Sequence, residues 1–307
     1  MSSSMDTTGN IYRGRFAPSP TGPLHFGSLV AAVGSYLYAR TAGGIWLLRI
    51  EDIDPPREVP GAATTILKTL EAYSFEWDGP VIWQSDRRDA YEAALERLTD
   101  RGLTYVCSCS RRRVAADATS KGSEGPVYPG TCRDLGLSGP NHAIRLRTHD
   151  ETVVFEDDLQ GSCRQNPNQD IGDFVIRRRD GYFAYQLACV VDDADEGVTD
   201  IVRGCDLLDS TGRQMVLQRL LGLSPVAYAH VPIAVDAIGQ KLSKQTWAAP
   251  VPPTGSTRVL WRALDFLKQS PPAELANDGL DDLWTWAIGN WNPAALKRLR
   301  KIPVEIA

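Results

Sequence analysis

Apolar positions first form a short run closed by Arg15-Phe16. A longer run follows from Gly27-Ser28 to Arg40, broken only by Gly34, and then the block Ile45-Trp46-Leu47-Leu48-Arg49-Ile50. Read by spacing and length, these predict a strand, a helix over about Gly27 to Arg40 and a second strand. Between the first two, Pro18, Pro20, Gly22 and Pro23 bar any regular element and force a turn. Asp52-Ile53-Asp54-Pro55-Pro56 breaks the chain again, and helical periodicity follows at about Pro60 to Tyr73 and Asp89 to Arg101. Strands alternating with helices predict an α/β nucleotide-binding fold: a parallel sheet covered on both faces, with ligands at the carboxyl ends of the strands, where Arg15 and Glu51 fall.

From 102 to 180 the pattern changes to short strand-like pieces (Ala143 to Arg147, Val153 to Phe155, Phe174 to Arg178) separated by Gly, Asn and Pro. This stretch reads as an insertion between the two halves of the nucleotide fold. The α/β alternation returns with Tyr182 to Val191, a strand near Asp200 to Arg203, a helix from about Ser210 to Leu221 and a strand at His230 to Ala234. Pro250, Pro252 and Pro253 mark a boundary, and helical spacing dominates from about Arg258 to Ala295, with Trp261, Trp284, Trp286 and Trp291 as expected core anchors. The expected organisation is a disordered 1–10, a first catalytic half at 11–101, the insertion at 102–180, a second half at 181–249 and a short helical region at 250–307.

Composition narrows the class. A chain of 307 residues that is 43% hydrophobic can bury a core sufficient for one large or two coupled domains. The formal charge of -5 gives no general attraction to nucleic acid. Any RNA contact therefore falls to local clusters: Arg111-Arg112-Arg113, Arg177-Arg178-Arg179, and Lys297-Arg298 with Arg300-Lys301. No apolar run reaches the roughly 18 residues of a membrane span, and Met1 to Asn10 is polar without an apolar segment, so no membrane association and a cytoplasmic location are expected.

Two stretches carry candidate chemistry. A Pro/Gly turn leading from a strand end into a helix at His25-Phe26-Gly27-Ser28 presents free backbone N–H groups and a positive dipole end, which suit phosphate. Six cysteines in such a chain do not suggest a disulfide framework. Cys107, Cys109 and Cys132 nevertheless cluster in the insertion and offer three thiolates suited to tetrahedral zinc, with His142 or an acid as a possible fourth ligand. Cys163, Cys189 and Cys205 are scattered and read as ordinary thiols.

Pro18-Ser19-Pro20-Thr21-Gly22-x-x-His25-x-Gly27 resembles the ATP-site signature of the class I aminoacyl-tRNA synthetases of the glutamyl group, and Lys241-Leu242-Ser243-Lys244-Gln245 resembles their second, Lys-rich signature. The resemblance covers most of the chain and is strongest to the short paralogues, because no counterpart of an anticodon-binding domain is expected here. It implies a class I Rossmann-type fold with a zinc-containing insertion. His25 and Lys244 would be catalytic, with Pro18, His25, Gly27, Ser28, Lys241 and Lys244 holding ATP and its Mg2+. It also implies a glutamate pocket of Arg15, Ser19, Glu51, Tyr185 and Arg203. A planar guanidinium suits the side-chain carboxylate, and a carboxylate at Glu51 suits the ammonium. One structural zinc would be held by Cys107, Cys109, Tyr128 and Cys132. The implied reaction is tRNA-independent, ATP-driven activation of L-glutamate and transfer to the queuosine base of the tRNA(Asp) anticodon stem-loop, the alternatives being ordinary tRNA(Glu) charging or a silent RNA-binding role.

Overall fold

The computed structural model describes residues 11–122, 125–236, 238–239 and 250–304, so residues 1–10, expected to be disordered, and Lys241 and Lys244 of the expected ATP site lie outside the described residues. Arg13–Phe16 pairs in parallel with Ile45–Ile50, which pairs in parallel with Ile82–Trp83. A second sheet runs Asp200–Gly204, Ala227–Val231, Val153–Asp157, Gly161–Gln165, its first two pairings parallel and its last antiparallel. The Thr199 amide donates to the Arg13 carbonyl at 2.9 Å, and the Arg13 amide to Thr199 Oγ1 at 2.8 Å, which sets the two sheets edge to edge.

The helix Phe26–Thr41 crosses the first sheet as the apolar spacing requires. Its Leu29, Val33 and Leu37 are wholly buried in one core with Trp46 and Leu48. Gly34, the one breaker in that run, has a packing reason: a Cβ there would lie 3.1 Å from Val231 Cγ1, so any side chain would require Val231 to give by a few tenths of an ångström. A second core forms around Leu98, Leu146, Ile176, Leu187 and Leu217, beneath the helices Arg88–Asp100, Tyr185–Asp195 and Thr211–Leu221. The helix expected at about Pro60 to Tyr73 spans Ala62–Ala72, entered through Gly61 at φ 77°, a conformation costly for other residues.

The insertion carries its own antiparallel sheet, Val175–Arg177, Ala143–Leu146 and Thr104–Cys107. The hairpin of Val153–Asp157 and Gly161–Gln165 falls inside the 102–180 stretch, yet it hydrogen-bonds to Ala227–Val231 of the second half. Pro232, which has no N–H to donate, divides the expected strand at His230 to Ala234 into Ala227–Val231 and Ile233–Val235.

At the C-terminal end, the helices Thr257–Phe266 and Leu280–Asn290 pack on Phe26–Thr41. Trp284 sits at their junction, its ring 4.8 Å from Tyr36 and 5.0 Å from Phe75, with Nε1 donating to the Tyr73 carbonyl at 2.8 Å. Trp261, Trp286 and Trp291 are only partly buried against the same core. A strand that helical periodicity did not foresee, Lys301–Pro303, pairs in parallel with Ile233–Val235.

Candidate active site

The strand ends and the signature turn meet in a cleft of about 1040 Å³. Each described residue predicted for the ATP and glutamate sites, namely Arg15, Pro18, Ser19, His25, Gly27, Ser28, Glu51, Tyr185 and Arg203, lines it. Backbone hydrogen bonds assemble the turn: the Glu51 amide donates to Pro18 O at 3.0 Å and the Val59 amide to Pro20 O at 3.0 Å, tying the ends of the two parallel strands together. His25 is the N-cap of the helix, with the Ser28 amide donating to Nδ1 at 3.3 Å and Ser28 Oγ 3.1 Å from Nε2. Pro250 forms a bridge with His25, and the Val251 amide donates to Leu24 O at 2.9 Å, so the chain on leaving the Lys-rich segment runs beside the signature.

Beneath the cleft lies a buried ionic network that the sequence reading missed. Arg15 Nε donates to Asp193 Oδ1 at 2.9 Å, and Arg49 donates to the same oxygen at 2.8 Å and to Glu196. Burial disfavours the Asp193 carboxylate, yet the two guanidinium groups outweigh it and hold its pKa well below the usual range. Arg15 is thus committed to Asp193, and it reaches the cleft as part of this network rather than as an open fork. Glu51, 8% exposed, has among the described residues only Arg49 within ion-pair range, at 3.8 Å. Burial pushes its pKa up to about 7, against the pull of Arg49 and Arg15.

Arg203 is different. Its guanidinium, 5% exposed, donates to His230 Nε2 at 3.0 Å, Gln214 Oε1 at 2.7 Å, Thr211 Oγ1 at 2.9 Å and Tyr185 OH at 3.4 Å. None of these acceptors is a carboxylate. A buried cation surrounded by neutral acceptors at the wall of an open cleft favours an anionic ligand.

In the insertion, the Sγ atoms of Cys107, Cys109 and Cys132 all lie within 4.8 Å of one another. Tyr128 OH is 3.4 Å from Cys107 Sγ and 4.0 Å from Cys109 Sγ, and accepts from the Cys132 amide at 2.9 Å. His142 stands elsewhere, with Nδ1 3.4 Å from Gly139 O. Burial disfavours the Cys132 thiolate, but hydrogen bonds from Ser108, Cys109 and Tyr128 outweigh it and bring its pKa to about 6. Arg145 donates to Cys107 Sγ at 3.2 Å and lies 3.7 Å from the centre of the Tyr128 ring, so a cation faces the expected anionic ligands. The donor set fits zinc.

Sequence and fold comparison place these features in a known class. Residues 12–252 match the family described as tRNA synthetases class I (E and Q), catalytic domain, and the chain belongs to that family of ligases. Among its relatives, the glutamyl-Q tRNA(Asp) synthetase of Chromobacterium violaceum is 54% identical over 297 residues, 96% of this chain and 98% of that one. The protein of the same name from Dechloromonas aromatica is 55% identical over 94% of this chain and 96% of its own. The crystal structure of glutamate-tRNA synthetase from Elizabethkingia anophelis superposes with a TM-score of 0.75 at 23% identity, covering 95% of this chain and 68% of that one, and shows the same fold. Among the described residues no helix is long and apolar enough to cross a membrane.

Proposed function

We propose that the chain activates L-glutamate with ATP and Mg2+, without tRNA, and transfers the glutamyl group to the queuosine base at the wobble position of tRNA(Asp). The observation that carries the proposal is the cleft itself. It has a helix N-terminus capped by His25 at one side, a carboxylate at Glu51, and at Arg203 a buried guanidinium whose acceptors among the described residues are all neutral. The first suits the phosphates of ATP, the second an α-ammonium and the third a side-chain carboxylate. Attack by the α-carboxylate of glutamate on the α-phosphate releases pyrophosphate, and the developing charge is met by His25, Lys241 and Lys244. The adenylate then passes its acyl group to a hydroxyl of the queuosine ring, with AMP leaving.

The acceptor is supported by the names of the relatives at 54% and 55% identity. Exposed cations at Arg111, on the rim of the cleft, and at Lys297, Arg298, Arg300 and Lys301 suit the phosphates of an RNA stem-loop. Arg177 and Arg178 are instead partnered by Glu92 and Asp54. Zinc at Cys107, Cys109, Tyr128 and Cys132 would be structural, tying the insertion's loops together and leaving no open position for substrate.

The test is glutamate-dependent pyrophosphate exchange without tRNA, followed by transfer of labelled glutamate. Exchange in the absence of RNA and labelling of queuosine-containing tRNA(Asp), but not of its guanosine form or of tRNA(Glu), is the expected result. Charging of tRNA(Glu) at its 3′ end would make the protein an ordinary glutamyl-tRNA synthetase, and no exchange at all a silent RNA-binding relative.

A further inference from the structure

Behind Arg203 stands a second pair of residues, outside the cleft lining. His230 is wholly buried on the strand next to that of Arg203, in register with it. Its Nε2 faces Arg203 Nε at 3.0 Å and its Nδ1 faces Asp157 Oδ2 at 2.5 Å. Asp157, 2% exposed, uses its other oxygen to accept the backbone amides of Leu159, Gln160 and His230 at 3.1, 2.9 and 3.2 Å. Arg203 Nε carries a hydrogen and cannot accept, so Nε2 must offer its lone pair and the ring proton must sit on Nδ1, aimed at the carboxylate. Burial and the charge of Arg203 lower the pKa of His230 against the pull of Asp157, consistent with a neutral ring.

We infer that Asp157 and His230 are positioning residues that set specificity for an anionic amino-acid side chain. The carboxylate fixes the tautomer of His230, and the neutral ring then holds the Arg203 fork without cancelling its charge. Had Asp157 touched Arg203 directly, an internal ion pair would compete with the substrate. One imidazole between them keeps the cation oriented and leaves its counterion to be supplied by the ligand. This rests on the proposed reading of Arg203 as the side-chain contact for glutamate.

Asp157→Asn separates orientation from shape. Its oxygen must stay with the three backbone amides, because an NH2 group placed there would face three donors. The NH2 group therefore replaces Oδ2, donates to His230 Nδ1 and drives the ring proton to Nε2, where it opposes Arg203 Nε–H. Loss of that charge-assisted contact should raise the glutamate KM in pyrophosphate exchange by about 10- to 100-fold, leave the ATP KM within about twofold, and narrow the preference for glutamate over glutamine. His230→Ala removes the ring that links position 157 to Arg203, so a change at 157 can no longer reach the guanidinium. Adding Asp157→Asn to it should change the glutamate KM by less than about threefold. A merely structural Asp157, needed only for its backbone amides, would cost the same factor in both backgrounds and overturn the inference.

Side-chain nitrogen NMR of the histidines, with the His230 signal identified by its absence in His230→Ala, gives a readout independent of activity. The parent should show neutral, Nδ1-protonated His230 at pH 7 and Asp157→Asn the Nε2-protonated form. A charged or Nε2-protonated ring in the parent overturns the inference even if no variant folds. An active parent with an unchanged Asp157→Asn overturns the role of this pair alone. A parent that activates no glutamate removes the proposed function, and the specificity role falls with it.

Discussion

Glutamate binding should depend on pH through Glu51. This carboxyl is buried, its only ion-pair neighbour among the described residues is Arg49 at 3.8 Å, and burial raises its pKa to about 7. Only the ionised form pairs with the ammonium of the substrate. The folded pKa is raised, so the protonated form accumulates as pH falls through 7. For a pKa near 7, the ionised share falls from about 90% at pH 8 to about 10% at pH 6, which weakens glutamate binding by roughly tenfold. The ammonium of the ligand pulls the proton off, so binding at pH 7 should release about half a proton per glutamate. Calorimetry in buffers of different ionisation enthalpy measures that release directly. Exchange kinetics should show the glutamate KM rising as pH falls, and Glu51→Gln should flatten both responses while binding glutamate weakly throughout. His25 caps the helix N-terminus, so its influence belongs to the ATP KM. A glutamate KM that is flat from pH 6 to 8, with no proton release, would refute Glu51 as the ammonium partner.

Lys244→Ala should reduce adenylate formation by over a hundredfold, on the order of 3 kcal/mol or more at the transition state, with an unchanged circular dichroism spectrum; unaltered exchange would remove the residue from the chemistry. Elemental analysis of protein prepared without chelators should find zinc at one per chain, and Cys107→Ser should lower that content and expose the insertion to proteolysis. Metal-free protein with a protected insertion would return the cysteines to ordinary thiols. Trp284→Ala, which removes the rings' shared contact and leaves the Tyr73 carbonyl without its donor, should cost about 3–5 kcal/mol in urea unfolding with activity retained in the folded fraction. A loss under about 1 kcal/mol would mean that the C-terminal helices contribute little to the core.

Local chemistry made part of this protein legible from sequence. The signature turn is confined by prolines within a few residues, the helix behind it starts where His25 caps it, and the strand at Ile45–Ile50 matches the apolar block. Cys107 and Cys109 are adjacent enough that one loop must bring them together, and Cys132 with Tyr128 follows within the same insertion. Long-range pairing was not legible. Asp193 meets Arg15 across 178 positions and Asp157 meets His230 across 73. The sequence shows Asp193 only as part of an acidic pair and His230 only as a lone histidine entering an apolar strand. Neither signal names a partner, because periodicity reports which face of an element is buried and not which distant element covers it. The same limit left the hairpin of Val153–Asp157 and Gly161–Gln165 in the insertion and concealed the strand at Lys301–Pro303, since a strand of three to five residues is defined by the edge it pairs with. Residue types and local order thus determined the nucleotide fold and its candidate ligands. Only tertiary packing decided that Arg15 would be neutralised by Asp193 while Arg203 would be held by neutral groups, because desolvation and charge pairing depend on what surrounds a side chain in space.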